Sequence, residues 1–331
     1  MSDLYPLLLK PFFSPRPWGS RDLSPIYTEF PGKDGEPIGE SWLTGDQCVV
    51  ANGPLAGKTL DQLCKQFGRD LVGDTAPQAD RYPLLMKFIF PQEKLSVQVH
   101  PDDEGARKIG QPVGKTECWY VLDAKPGAQI GLGLRAGTTR EKLKQAIADK
   151  TAENLLNWID VHAGEMYYVD AGTVHAIAGG SILVETQQNS DTTFRLYDYG
   201  RPRELHVEQG LSATKESTRA GRVLEAKAPV LVASPFFVVE KFKLGKGGTF
   251  KLAGKESAQA LVAIGGGGMI EAPGSAPVAF TRGEAVVIPA SVTGARVQPQ
   301  WEVEFIRSTV PAGEVAIPRT APVSVAESYM K

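Results

Sequence analysis

Residues 164–177, "GEMYYVDAGTVHAI", and residues 283–296, "GEAVVIPASVTGAR", align without a gap. Each opens on Gly-Glu, continues as an apolar run of strand length, and closes in a turn that leads into the next run. A strand–turn unit that recurs in this way points to two copies of one β-fold. At the position of His175 the second stretch has Gly294, and no histidine follows His206. A histidine-dependent site therefore belongs to the first copy.

The rest of the chain has the same texture. Short β-branched or aromatic runs such as "SILVETQ", "PFFVVEKFKL" and "LVAIGGGG" stand between Gly and Pro, as in a β-sandwich or barrel. "LVAIGGGGMI" reads as a tight hairpin, because it lacks the Lys-Ser/Thr of a phosphate loop. Two segments break the pattern with helical spacing. "KTLDQLCKQFGRDLVGD" carries Leu60, Leu63, Cys64 and Phe67, and "TTREKLKQAIADKTAENLLNWID" opens on a Thr cap and carries Leu143, Ile147, Leu155 and Leu156. Both read as covering helices. At 331 residues the chain has room for two domains, and a boundary is expected near residue 225, giving domains 1–225 and 226–331.

Charge and cysteine usage narrow the partners. The 36 basic and 38 acidic residues nearly cancel, to a formal charge of -2, and no basic block occurs. That argues against nucleic acid and for a small-molecule partner. No apolar run approaches membrane length, and the opening "MSDLYPLLLKPFFSPRPWGS" is interrupted by Lys10 and prolines; a soluble, cytoplasmic protein that neither enters a membrane nor is exported is expected. Cys48, Cys64 and Cys118 form no CxxC pair and suit free thiols in a reducing compartment.

The stretch "LSVQVHPDDEGARKIGQPVGKTECWYVL", residues 95–122, holds the chemistry. Alternation along a strand puts Gln98 and His100 on one face and Val97 and Val99 on the other. Glu117 begins the next apolar run, and His175 follows the turn "DAGT". An amide oxygen, two imidazoles and a carboxylate suit a divalent metal of the zinc kind. Buried without a shared partner, each such group would cost roughly 1–3 kcal/mol. His162 and His206 lack comparable company and read as structural or surface residues.

The turn "GEMYYVDAGTVH" resembles the second cupin motif, with Asp170 where proline is usual, and "QVH" resembles the first with glutamine for its first histidine. Together with "PLLMKFIFPQEKLSVQVHPDDE", "GKTECWYVL", "ETQQNSDTTFRLYDYGR", "KPFFSPRPWGS" and "IGESWLTGDQCVVANGPLAGKTL", they are similar to type I phosphomannose isomerases of the short bacterial form. The likeness runs from residue 8 to about residue 210, and beyond that only as a degenerate cupin. It implies a mostly β fold of two cupin-like (jelly-roll) β-barrel domains with a few covering helices, the second without metal ligands. It further implies one zinc ion per chain on Gln98, His100, Glu117 and His175, and interconversion of mannose 6-phosphate and fructose 6-phosphate through a cis-enediol.

Other roles follow from the same resemblance. Arg195 matches the family's active-site arginine, and Glu185 matches a glutamate assigned to proton transfer. Lys115 lies two residues before Glu117 and so shares its face on a strand. Ser96 and Lys87 match positions that line the sugar-phosphate pocket on its phosphate side; Lys87 read by itself is an exposed strand lysine. Phe194 and Gly200 depart from the tyrosine and acidic residue common at those positions. Cupins also include iron oxygenases and isomerases of other sugar phosphates, which typically keep two histidines in the first motif where this chain has Gln98, and non-catalytic sugar-binding proteins, which need no Lys115, Glu185 and Arg195 beside a metal.

Overall fold

The computed structural model describes residues 4–224, 227–252 and 254–321. The chain is mostly β, with a few short helices. Among the described residues no helix is long and apolar enough to cross a membrane. Contacts divide the chain into two units: residues 4–16, 21–88 and 227–317 form one, and residues 17–20, 89–224 and 318–321 the other. The expected division at 225 therefore does not hold for the first part of the chain. Strand Leu7–Lys10, with Leu7 and Leu9 buried, pairs antiparallel with Ala285–Ile288 in the register Leu8↔Val286. Such a long-range pairing satisfies the backbone of an apolar strand, and short apolar strands carry no mark of their partner. The expected boundary residues 225 and 226, and the end of the expected second domain from 322 onward, lie outside the described residues.

The unit built around residues 89–224 has two sets of strands. Phe194–Tyr197, Val97–Val99, His175–Ile177, Gln129–Leu134 and Leu156–Asp160 lie side by side in that order; so do Gly221–Arg222, Met166–Val169, Glu117–Ala124 and Ser181–Gln188. One face of the first set, through Val97, Val99, Ala176, Phe194 and Leu196, packs on Leu143, Ile147 and Leu211 of helices Arg140–Ala148 and Val207–Ala213. From the opposite face Ile130, Leu132 and Ile177 meet Trp119, Val121 and Leu183 of the second set. Each fully buried Val, Leu or Ile stabilises the fold by about 1.5–3 kcal/mol. A slip of one residue would turn Val97 and Val99 inward and Gln98 out under the helices, so this burial fixes the register.

Helix Leu60–Phe67 begins where expected, with Thr59 and Gln62 in a capping box, and helix Arg140–Ala148 begins at Thr139, whose side chain accepts from Lys142 N. The second helical segment is shorter than its apolar spacing suggests. Lys150 takes φ 60, which ends the helix, and Leu156 opens strand Leu156–Asp160, paired with Gln129–Leu134. "LVAIGGGGMI" is no hairpin. It lies in one strand, Gln259–Glu271, whose register against Arg296–Thr309 shifts between Ala263 and Gly265 and again between Gly266 and Gly268. Gly266 has φ 64, and a Cβ there would run into the Glu302 carbonyl, so the glycines serve bulges.

The other unit carries a nine-stranded sheet and a core around Phe280, Phe305, Val286 and Val303. Here the aligned stretch repeats the first in detail. Met166–Val169 pairs with Glu117–Ala124 in the register Val169↔Glu117, and Ala285–Ile288 pairs with Gln259–Glu271 in the register Ile288↔Gln259. Glu165 Oε2 accepts from His162 N and Glu284 Oε2 from Thr281 N, both at 2.8 Å. The turns close alike, Thr173 N donating to Asp170 O at 3.1 Å and Val292 N to Pro289 O at 3.0 Å.

Candidate metal centre

Strand pairing brings the predicted ligands together. His175 is directly opposite Gln98, and Gln98 is directly opposite Arg195 on its other side. His100 follows strand Val97–Val99 and shares the face of Gln98. Glu117 enters from the second set of strands, opposite Gln187. His100, Glu117 and His175 are buried, and their ligand atoms lie within 4.8 Å of one another. Glu117 Oε1 lies 3.4 Å from His175 Nε2, and Glu117 Oε2 lies 3.5 Å from His100 Nε2.

The backbone sets the protonation of both rings. His175 Nδ1 is 2.9 Å from Thr173 O, and His100 Nδ1 is 2.9 Å from Thr192 O. A carbonyl only accepts, so each Nδ1 carries the proton and each Nε2 presents its lone pair to the cluster. Burial pushes the His175 pKa down to about 4; the Thr173 carbonyl opposes that shift and the nearby Lys115 charge adds to it. The imidazole is therefore neutral at pH 7, as a metal ligand must be.

A cation already sits among these donors. Lys115 Nζ donates to His100 Nε2 at 2.9 Å and also to Glu117 Oε2. Gln98 offers Nε2 to His175 Nε2 at 3.2 Å, while its Oε1 accepts from Ser96 Oγ at 3.1 Å. A metal would take the amide oxygen, which the amide presents when turned end for end. Two imidazole lone pairs, a carboxylate and an amide oxygen fit a divalent cation of the zinc kind.

The remaining predicted residues divide between the units. Glu185 is buried on strand Ser181–Gln188 opposite Trp119, whose Nε1 donates to Glu185 Oε2 at 3.0 Å. Arg195 is anchored through Nη1 to Glu204 O at 2.8 Å, and its amide donates to His206 Nδ1 at 3.3 Å, which gives His206 the structural part expected of it. Lys87 belongs to the other unit and is buried rather than exposed. Its Nζ lies 3.9 Å from Glu40 Oε1 and 5.1 Å from the centre of the Trp42 ring.

Sequence reading missed Trp119, which packs edge-on against His175 at 5.5 Å and holds Glu185. Its period-two spacing from Glu117 was the available signal. It also missed Gln187, whose Nε2 donates to Gln188 O and Ser190 O and so holds the loop that carries Thr192. A cavity of about 500 Å³ lined by Lys108, Arg140, Phe194 and Lys215 contains none of the predicted site residues.

Comparison with known proteins identifies the family. Residues 7–132 match the model of the phosphomannose isomerase type I catalytic domain. The chain is 36% identical over 305 residues to mannose-6-phosphate isomerase of Streptococcus mutans, covering 87% of this chain and 93% of the relative. It is 37% identical over 265 residues to mannose-6-phosphate isomerase ManA of Bacillus subtilis, covering 74% and 82%. The crystal structure of mannose 6-phosphate isomerase from Bacillus subtilis superposes with a TM-score of 0.79 at 32% identity, over 92% of this chain and 99% of that one. With more than a third of the residues shared along nearly the whole length of such a relative, the chain belongs to the type I phosphomannose isomerase family.

Proposed function

We propose that the protein is a zinc-dependent aldose–ketose isomerase that interconverts D-mannose 6-phosphate and D-fructose 6-phosphate through a cis-enediol. Family membership supports the reaction. The observation that carries the metal is the pair of imidazoles whose Nδ1 atoms face backbone carbonyls and whose Nε2 atoms face Glu117. Gln98, His100, Glu117 and His175 would hold one zinc ion per chain. When bound, that ion supplies a fixed positive charge beside the sugar oxygens.

The chain's own residues have distinct tasks. In the open-chain sugar a proton leaves C2 of the aldose and returns to C1, while the O2 proton passes to O1. Glu185 carries the carbon-bound proton, with its carboxylate oriented by Trp119. Arg195 and Lys115 offset the negative charge that develops on the enediolate oxygens. Ser96 binds on the phosphate side. Catalysis belongs to the unit around residues 89–224, and the second copy of the fold has a structural part. A small sugar phosphate, rather than nucleic acid or membrane, is the partner, and three buried free thiols support a reducing, cytoplasmic setting.

The test is interconversion of the two sugar phosphates by purified protein, before and after chelation and with zinc returned. Activity lost on chelation and restored by zinc is expected. Stoichiometric zinc without interconversion would overturn the reaction, and interconversion untouched by chelation would overturn the metal.

A further inference from the structure

The turn Asp170–Thr173 touches both imidazole ligands. Gly172 N donates to His100 O at 2.9 Å, and Thr173 O faces His175 Nδ1 at 2.9 Å. Gly172 has φ 92, and a Cβ there would press on the Lys215 side chain and the Ala213 carbonyl, so the turn is confined on its outer side as well. Asp170 begins the turn. Its Oδ1 accepts from Thr173 Oγ at 2.9 Å and its Oδ2 from Arg219 N at 3.2 Å.

The second copy separates what the backbone needs from what Asp170 adds. There the turn begins with Pro289 and closes through the same hydrogen bond, Val292 N to Pro289 O. A proline side chain accepts nothing, so the turn forms without a carboxylate. The bonds from Asp170 to Thr173 and Arg219 are additional, and they occur in the copy whose turn presents a carbonyl to a histidine.

We infer that Asp170 is a positioning residue for the metal centre: by holding Thr173 and Arg219 it fixes the carbonyl that keeps His175 in its Nδ1–H form, with Nε2 aimed at the cluster. This inference rests on the metal reading above. Groups that orient a metal-bound histidine from behind typically contribute 10–100-fold in metal affinity.

Asp170→Pro gives the first copy the turn residue of the second, and Thr173→Val removes the hydroxyl donor at nearly constant volume. Zinc affinity is measured by chelator competition on the full chain, and the His175 tautomer by nitrogen-15 NMR of metal-free protein. Asp170→Pro is expected to weaken zinc binding several-fold, less than the roughly 10–100-fold of a group bonded to the imidazole itself, and to show both tautomers, with the metal-free melting temperature nearly unchanged. Thr173→Val is expected to weaken it several-fold. A purely structural role would move the melting temperature and leave the tautomer alone. Wild-type zinc affinity and a single Nδ1–H tautomer in both variants would overturn the inference; should Asp170→Pro fail to fold, Thr173→Val decides by the same two readouts. Failure of the wild-type protein to bind zinc would instead overturn the metal reading.

Discussion

The two copies of the strand–turn unit share register and turn but differ in what they turn inward. Glu117, opposite Val169 in the first copy, is replaced by Gln259, opposite Ile288 in the second. Glu185 stands opposite Trp119 in the first; the residue opposite the matching Leu261 is Arg307. His175 becomes Gly294. In the first copy, donors gather around the Lys115 ammonium. In the second, a guanidinium is the cation: Arg307 Nη1 donates to Gln259 Oε1 at 3.1 Å and Nε to Glu240 Oε2 at 2.8 Å, with the Phe242 and Phe250 rings 5.5 and 5.4 Å away. One backbone therefore supports a metal-type donor set or a self-contained ion pair, and function follows the inward side chains rather than the fold.

The largest expected effect comes from exchanging one of those side chains. Glu117→Gln gives the first copy the residue of the second and removes the carboxylate that faces both imidazoles. Zinc content is expected to collapse and isomerase activity to fall at least about a thousandfold, roughly 4 kcal/mol of barrier. The reciprocal change, Gln259→Glu, is expected to leave both within about twofold, because the second copy has Gly294 where the first has His175. Full activity in Glu117→Gln, read by a coupled sugar-phosphate assay and metal analysis, would break the comparison.

Glu185→Gln separates catalysis from metal binding. A proton carrier typically contributes 10²–10⁴-fold, so kcat is expected to drop by about a hundredfold or more with zinc bound as in the parent. The matching position in the second copy tests stability instead. Arg307→Met leaves Glu240 in a site where the partners' side chains are only 17% and 11% exposed. Breaking a fully buried pair costs about 3–5 kcal/mol; with this residual exposure, a loss of roughly 2–3 kcal/mol in urea unfolding is expected. Activity at low temperature should stay unchanged. A fall in kcat without a fall in stability would mean that the second copy serves the reaction directly.

The inward face of the first copy was legible in the sequence because it rests on strand alternation. Val97 and Val99 pack against the helices while Gln98 turns the other way, as "SVQVH" predicts. Glu117 could be read because it begins the next apolar run, and His175 because it follows the turn "DAGT" in a stretch that resembles the second cupin motif. What stayed hidden depends on backbone atoms or long-range pairing. The carbonyls of Thr173 and Thr192 fix the imidazoles, yet any residue supplies a carbonyl. Leu7–Lys10 joins Ala285–Ile288 across most of the chain, and "LLLK" does not specify a partner. Gln259 was hidden as well, because its equivalence to Glu117 appears only once strand register is known.

The smallest effect is expected where the copies differ without chemistry. Cys118 faces away from Glu117 and matches Ala260, opposite Val287 in the second copy. Burial pushes its thiol well above the ordinary range; the Thr186 backbone opposes this, and the charges of Glu185 and Glu117 add to it. Burial likewise pushes Cys48 and Cys64 up to about 12. A thiol is reactive only as thiolate, so iodoacetamide at pH 8 should leave the native protein unlabelled and label it in urea. The sign of the pH effect follows from proton counts. Above about pH 8.5 the unfolded chain releases thiol protons that the folded chain retains, so stability falls as pH rises toward 12. Cys118→Ala should remove part of that alkaline loss at a cost of about 1–2 kcal/mol for the lost sulfur, with activity retained. Labelling of Cys118 in the native enzyme at pH 8, with loss of turnover, would show that its strand opens beside the Glu117–His175 cluster and that the two copies differ in mobility as well as in side chains.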